Sequence, residues 1–283
     1  MARWTARLFG DARLFAPDGT SVSTPTAISA IVGFLSTRPE FRANRAALVA
    51  RIWPDQESEQ ARHRLATSLW RLKKNAGKFA IPIKVSGEML ELDANIWIDT
   101  RAFELRIAAH QHDRSAYSRR LHRAVESYAG AYLDGQDENW VLIERERLFY
   151  LYLDGSLQLA QQEMNNSNWS VAIAHARQVC MREPLREDAH RLLMQAYAAS
   201  GNRGLALKQY RICADILQRE LDVEPMEETA LLAARLQATE LARTGFLRHV
   251  QMQRAASVKS ALVEGRMAMV AALAAFDRAI DLA

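Results

Sequence analysis

Between Ala61 and Lys84 the chain carries Arg62, Arg64, Arg71, Lys73, Lys74, Lys78 and Lys84 and not one acid. Ordinary protein surfaces interleave the two signs of charge, so an unbroken cationic stretch suits one kind of chemistry above others, the binding of an extended anion. Leu65, Leu69, Leu72 and Ala76 recur at helical spacing, which predicts a helix held by a buried stripe. On the opposite face of that helix fall His63, Arg64, Thr67, Trp70, Arg71 and Lys74. Asp55, Glu57 and Glu59 precede it, where the positive end of a helix dipole favours acids.

The elements that must position this face come on either side. Downstream, Ile81–Val85 and Glu88–Leu92 read as two short strands with Ser86-Gly87 at the turn. A basic helix followed by a β-hairpin is what a winged helix needs, with the helix in the major groove and the wing along the flanking backbone. The candidate DNA-binding residues are His63, Arg64, Thr67, Ser68, Trp70, Arg71, Lys73 and Lys74 on the helix, with Lys84 and Ser86 on the wing. The competing reading is a solvated helical face with no nucleic-acid role. Upstream, residues 4–23 read as short strands around the turn signal Pro17-Asp18-Gly19. Thr24-Pro25 then predicts a helix start, with Ile28, Ile31, Val32 and Leu35 on its buried face. A second helix is expected from near Asn44 to Trp53, where Pro54 stops it, with Leu48, Ile52 and Trp53 toward the core.

Catalytic and metal chemistry finds little support. The seven histidines form no metal spacing: His110 and His112 are two apart, and His175 and His190 fall on separate elements. There is no GxSxG, HExxH or GxxxxGK[ST] pattern. Glu144, Glu146 and Asp154 read as carboxylates of a charged helix. Cys180 and Cys213 lie among apolar residues with no CxxC or Cys/His cluster, so buried free thiols are expected, with no cofactor and no enzymatic activity.

With 283 residues, 49% hydrophobic and 25% charged, the chain can form two domains of ordinary soluble composition. The net charge of +4 lies wholly within the first 99 residues, and the remainder balances. No secretory h-region is evident, and the longest apolar run, Met267–Phe276, is too short for a membrane span. A reduced, cytoplasmic protein without membrane contact is expected.

The order strands, three helices, hairpin, with ARHRLATSLWRLKK ahead of the wing, resembles the OmpR-type winged helix of the SARP family of bacterial activators. WIDTRAFE, 97–104, is similar to the segment joining that module to the next domain of the family. Arg71-Leu72-Lys73-Lys74 corresponds to the family's Arg-Leu-Arg-Arg stretch, with lysine in two places. The resemblance implies that Arg71 reaches a base edge and Lys73 a phosphate. Arg64 and Trp70 stand where the family varies, so no operator sequence follows.

From Arg101 to about Arg243 nearly everything reads as helix. NWSVAIAHAR, 168–177, matches NRGLALKQYR, 202–211, at the 34-residue period of tetratricopeptide repeats, whose stacked helix pairs bury a continuous core. The stretches 138–160, 182–211 and 221–236 resemble the bacterial transcriptional activator domain that follows the winged helix in SARP proteins. The expected fold is mainly α with a small β part: a winged helix over 1–99, a tetratricopeptide-like activator domain over 100–243, and a helical extension over 244–283. In the extension, Leu262, Met269, Leu273, Phe276 and Ile280 form an apolar stripe that either packs on the repeats or pairs with a second subunit.

Three functions compete on this sequence. The first is a transcription activator that binds double-stranded DNA, on direct repeats as the resemblance to SARP activators implies. It acts as a homodimer, at least on DNA, and the resemblance implies contact with RNA polymerase. The second is a helical-repeat adaptor that does not bind DNA. The third is a small-molecule-binding regulator or hydrolase using a groove among the helices.

Overall fold

The computed structural model describes residues 3–108, 114–238, 251–254, 257–259 and 262. The expected apolar stripe of the extension therefore lies outside the described residues except for Leu262, as do His110 and His112. The chain divides into two compact units, Met1–Glu183 and Pro184–Ala283.

The first unit begins with β1 (Thr5–Arg7), β2 (Arg13–Phe15) and β3 (Ser21–Val22), an antiparallel meander. Helix α1 (Thr26–Ser36) follows; its N-cap is Pro25, one residue later than the Thr24 cap the sequence suggests, and no side chain caps it. Strand β4 (Arg42–Asn44) leads into α2 (Arg45–Ile52), whose cap is Asn44. The Asn44 side chain accepts bonds from the N–H groups of Ala46 and Ala47, satisfying two of the donors a helix start leaves open. Then come α3 (Ser58–Asn75), β5 (Ile83–Ser86), β6 (Met89–Leu92) and β7 (Trp97–Ile98). The expected order of strands, three helices and hairpin is present, with two strands it did not include, β4 between α1 and α2 and β7 after the hairpin. Two sheets result, β3-β2-β1-β7 and β4-β6-β5, with β7 joining β1 in parallel. Leu8, Leu14, Ile28, Ile31, Leu35, Leu48, Leu65, Leu72, Leu90 and Leu92 are completely enclosed and form the core under the basic helix.

No linker separates this module from the helices after it, since α4 (Asp99–Ala108) starts on the residue after β7. The Asp99 carboxylate accepts from the N–H groups of Leu8, Phe9 and Thr100, so one buried side chain ties the end of β1 to the head of α4. Burial pushes that carboxyl up while the three N–H groups oppose the shift. Helices α5 (Arg114–Ser127), α6 (Asn139–Asn165) and α7 (Trp169–Arg182) complete the unit. The loop between α5 and α6 docks on β1: Gly10 N–H donates to Ala131 O at 2.8 Å and Leu133 N–H to Leu8 O at 2.8 Å. Arg145 holds that loop by donating to the carbonyls of Tyr132, Leu133 and Gln136. Phe9, Phe103, Tyr128 and Tyr152 pack ring against ring across the same junction.

In the second unit α8 (Glu187–Ala199) packs on α9 (Arg203–Leu221), and a further helix covers 227–238. Helices α7 and α9 start at Trp169 and Arg203, the equivalent positions of the 34-residue match. The carboxylate of Glu187, itself buried, accepts from Met226 N–H and Thr229 Oγ1, and so caps the helix over 227–238. Both cysteines are buried, as expected, and neither is in a disulfide; burial pushes the Cys213 thiol up to about 11.

His190 is enclosed between Pro184 O at 3.0 Å and the amide nitrogen of Gln209 at 2.8 Å. A Gln209 donor requires Nδ1 to accept, so Nε2–H donates to the carbonyl and the ring is neutral. Burial lowers its pKa from the ordinary histidine value. On acidification the unfolded chain takes up, near pH 6.5, a proton that the folded ring refuses. Stability is thus full above that pH and falls as pH drops toward the folded pKa. Thermal melts from pH 7.5 to 5.5 are expected to show a falling Tm, with a shallower slope in His190→Gln. Equal slopes would mean that other groups set the dependence.

Candidate nucleic-acid interface

Helix α3 packs on α1 and α2 through Ala61, Leu65, Ser68 and Leu72, with Ala76 buried at its cap. These inward positions step by four, three, four and four residues, the drift a straight helix requires. Two expectations change as a result. Ser68, a candidate DNA-binding residue, is 8% exposed and belongs to the inward line, so it has no groove-facing role. Leu69, expected in the core, is only half-buried on the flank. A one-residue rotation of the stripe exchanges the two.

The outward face is as expected. His63, Arg64, Trp70, Arg71, Lys73 and Lys74 are exposed and Thr67 is half-exposed. Trp70 is 59% exposed, unusual for so large an apolar ring, and Lys74 Nζ sits 5.3 Å from its centroid. That cation–π contact holds both side chains toward the C-terminal half of the face. None of Arg62, Arg64, Arg71, Lys73, Lys74, Lys78 and Lys84 has an ion-pair partner among the described residues. No close ion pair neutralises them, so the face presents a positive field to solvent. Glu59 in the first turn and Lys73 and Lys74 in the last complement the helix dipole.

The hairpin stands next to the end of α3. Pairing of Ser86 with Met89 leaves Gly87-Glu88 as a two-residue loop, one position later than the sequence places it. Gly87 has φ +57°, a conformation glycine adopts without penalty. Lys84, Val85 and Ser86 are exposed along β5, and the Glu88 carbonyl receives the Arg45 N–H at 2.7 Å, which fastens the tip to α2. A cleft of about 880 Å³ separates the end of α3 from the strands, with Lys73, Lys78 and Lys84 facing Glu91 and Asp93.

A second basic group was not legible in sequence. Arg38, Arg42 and Arg51 line a hollow of about 300 Å³ along one side of α2. They come from three different elements, so no single-helix periodicity announces them. Among the described residues no group of three or more His, Cys, Asp or Glu could hold a metal ion, and no helix is long and apolar enough to cross a membrane.

Residues 98–237 match the family model of the Bacterial transcriptional activator domain. It is mainly α-helical, with a small N-terminal β region followed by tetratricopeptide-like helices. Among solved structures it is similar to Mycobacterium tuberculosis EmbR, described in complex with a low-affinity phosphopeptide, at TM-score 0.69 and 21% identity. The likeness covers 84% of this chain and 65% of that one, so this chain spans about two thirds of the length of EmbR and shares its fold. No curated protein matches the chain.

Proposed function

We propose that the chain is a sequence-specific transcriptional activator whose residues 1–99 bind duplex DNA through α3 and the β5–β6 wing. Residues 100–243 form the activator domain, and the extension over 244–283 falls almost wholly outside the described residues. The observation that carries the reading is the outward face of α3 beyond Ala61: several cations, no acid, and no ion-pair partner for any of them among the described residues. His63, Arg64, Thr67, Trp70 and Arg71 face the groove, while Lys73, Lys74, Lys84 and Ser86 serve the backbone. A single winged helix reads few base pairs, so two copies on direct repeats, contacting RNA polymerase beside a promoter, are the assembly in view.

The first test is binding to random duplex at increasing salt by fluorescence anisotropy. A phosphate-binding face gives measurable affinity at low salt that falls steeply as salt rises. Salt-independent or absent binding favours a helical-repeat adaptor instead. Within a specific site, Arg71→Ala is expected to cost about 1–3 kcal/mol and to relax preference at one base pair. Lys73→Ala weakens all sequences alike and flattens the salt slope by about one ion. If Arg71→Ala lowers operator and random affinity equally, Arg71 contacts the backbone. On a two-repeat duplex, half-sites about 10–11 bp apart present both helices to one side, and inserting 5 bp removes most of the coupling. Undiminished cooperativity after the insertion rejects side-by-side binding.

A further inference from the structure

A hollow of about 490 Å³ opens on the first unit between the end of α5, the exposed side of α6 and the end of α7. Tyr128, Leu142, Phe149 and Tyr150 line it, together with Arg145 and Arg182. The volume lies within the range of small-molecule sites, and so does the composition of aromatic walls with a few polar groups. Leu142 and Tyr150 are 43% and 44% exposed, so two large apolar side chains of the lining are open to solvent.

We propose that this hollow is a binding site for a small aromatic or aliphatic anion, such as a carboxylate on a planar apolar body. The charge complementarity rests on Arg182. Its guanidinium lies 5.0 Å from the centroid of the Tyr152 ring and has no carboxylate partner among the described residues. It is thus positioned by a ring and still has its donors to offer. Arg145 adds positive charge, although its donors are engaged by the carbonyls of Tyr132, Leu133 and Gln136 and Asp137 lies 3.8 Å away. Glu146 is the one acid on the rim. The apolar wall is rigid: Tyr128 stacks on Tyr152 with centroids 4.3 Å apart and meets Phe9 at 4.8 Å. The floor, Gly130 and Ala131, is the segment that bonds Gly10 beyond β1. A ligand there touches the junction that holds the winged module in the unit. The site itself does not depend on the DNA-binding reading.

The test uses two fluorescent probes on the full chain, the anion 8-anilinonaphthalene-1-sulfonate and its neutral relative N-phenyl-1-naphthylamine. A saturable site for both is expected. Arg182→Gln should weaken the sulfonate about tenfold, the worth of a lost charge-assisted hydrogen bond, and leave the neutral probe unchanged. Tyr150→Ala, at an exposed wall position, should weaken both probes, and Lys208→Gln on α9 neither. The proposal is overturned if the wild-type chain shows no saturable fluorescence, or if Arg182→Gln binds the sulfonate as the wild type does. It is also overturned if Tyr150→Ala leaves both probes unaffected.

Discussion

Replacing Leu72 with alanine is expected to lower the stability of the first unit by about 2–5 kcal/mol, the range for emptying an enclosed leucine site. Leu72 is 0% exposed and lies between the exposed Arg71 and Lys73, so the variant removes the anchor of α3 without touching its cationic face. Urea melts give the stability change, and anisotropy on duplex DNA gives the binding. Loss of binding should follow the folded fraction and vanish when corrected for it. A stable variant with lost binding would place Leu72 at the DNA and reverse the orientation of the helix. Leu69→Ala is the comparison: half-buried on the flank, it should cost clearly less.

Gly33→Val should be nearly as damaging, for the opposite reason. A Cβ at residue 33 meets Tyr132 Oη closer than real Cβ atoms come to any atom, and Leu133 Cδ1 at 3.1 Å. Gly33 is in the middle of α1, where glycine is ordinarily a cost, so its use here is close approach and not backbone freedom. Tyr132 is 1% exposed and its hydroxyl has no partner, leaving it neither room nor a bond to give up. Overpacking of this kind costs about 1–3 kcal/mol, occasionally more. A double-mutant cycle isolates the contact. Tyr132→Phe removes an unpartnered buried hydroxyl and should be close to neutral. Gly33→Ala should then cost less in the Tyr132→Phe background, with a coupling of about 0.5–3 kcal/mol. Strict additivity in the melts would show that Tyr132 is not what excludes a side chain at 33.

What could be read from the sequence alone was local. The basic helix, the hairpin around Gly87, the start of α2 near Asn44 and the stop at Pro54 each rest on residues within a few positions of one another, where spacing and backbone preference act directly. The 34-residue offset between α7 and α9 is local in the same sense, since each repeat reproduces its own short pattern. Which of two adjacent residues, Ser68 or Leu69, turns inward was beyond that reach. The answer depends on where α1 and α2 lie, and a 3.6-residue period tolerates either choice over one or two turns. The tertiary structure also decided everything built across long separations. Asp99 on the N–H groups of Leu8 and Phe9, Gly33 under Tyr132, and the arginines around α2 are examples. So is the hollow that joins Tyr128, Tyr150 and Arg182. Such pairs leave no periodic trace in a single chain, because the chain has to close before the residues meet.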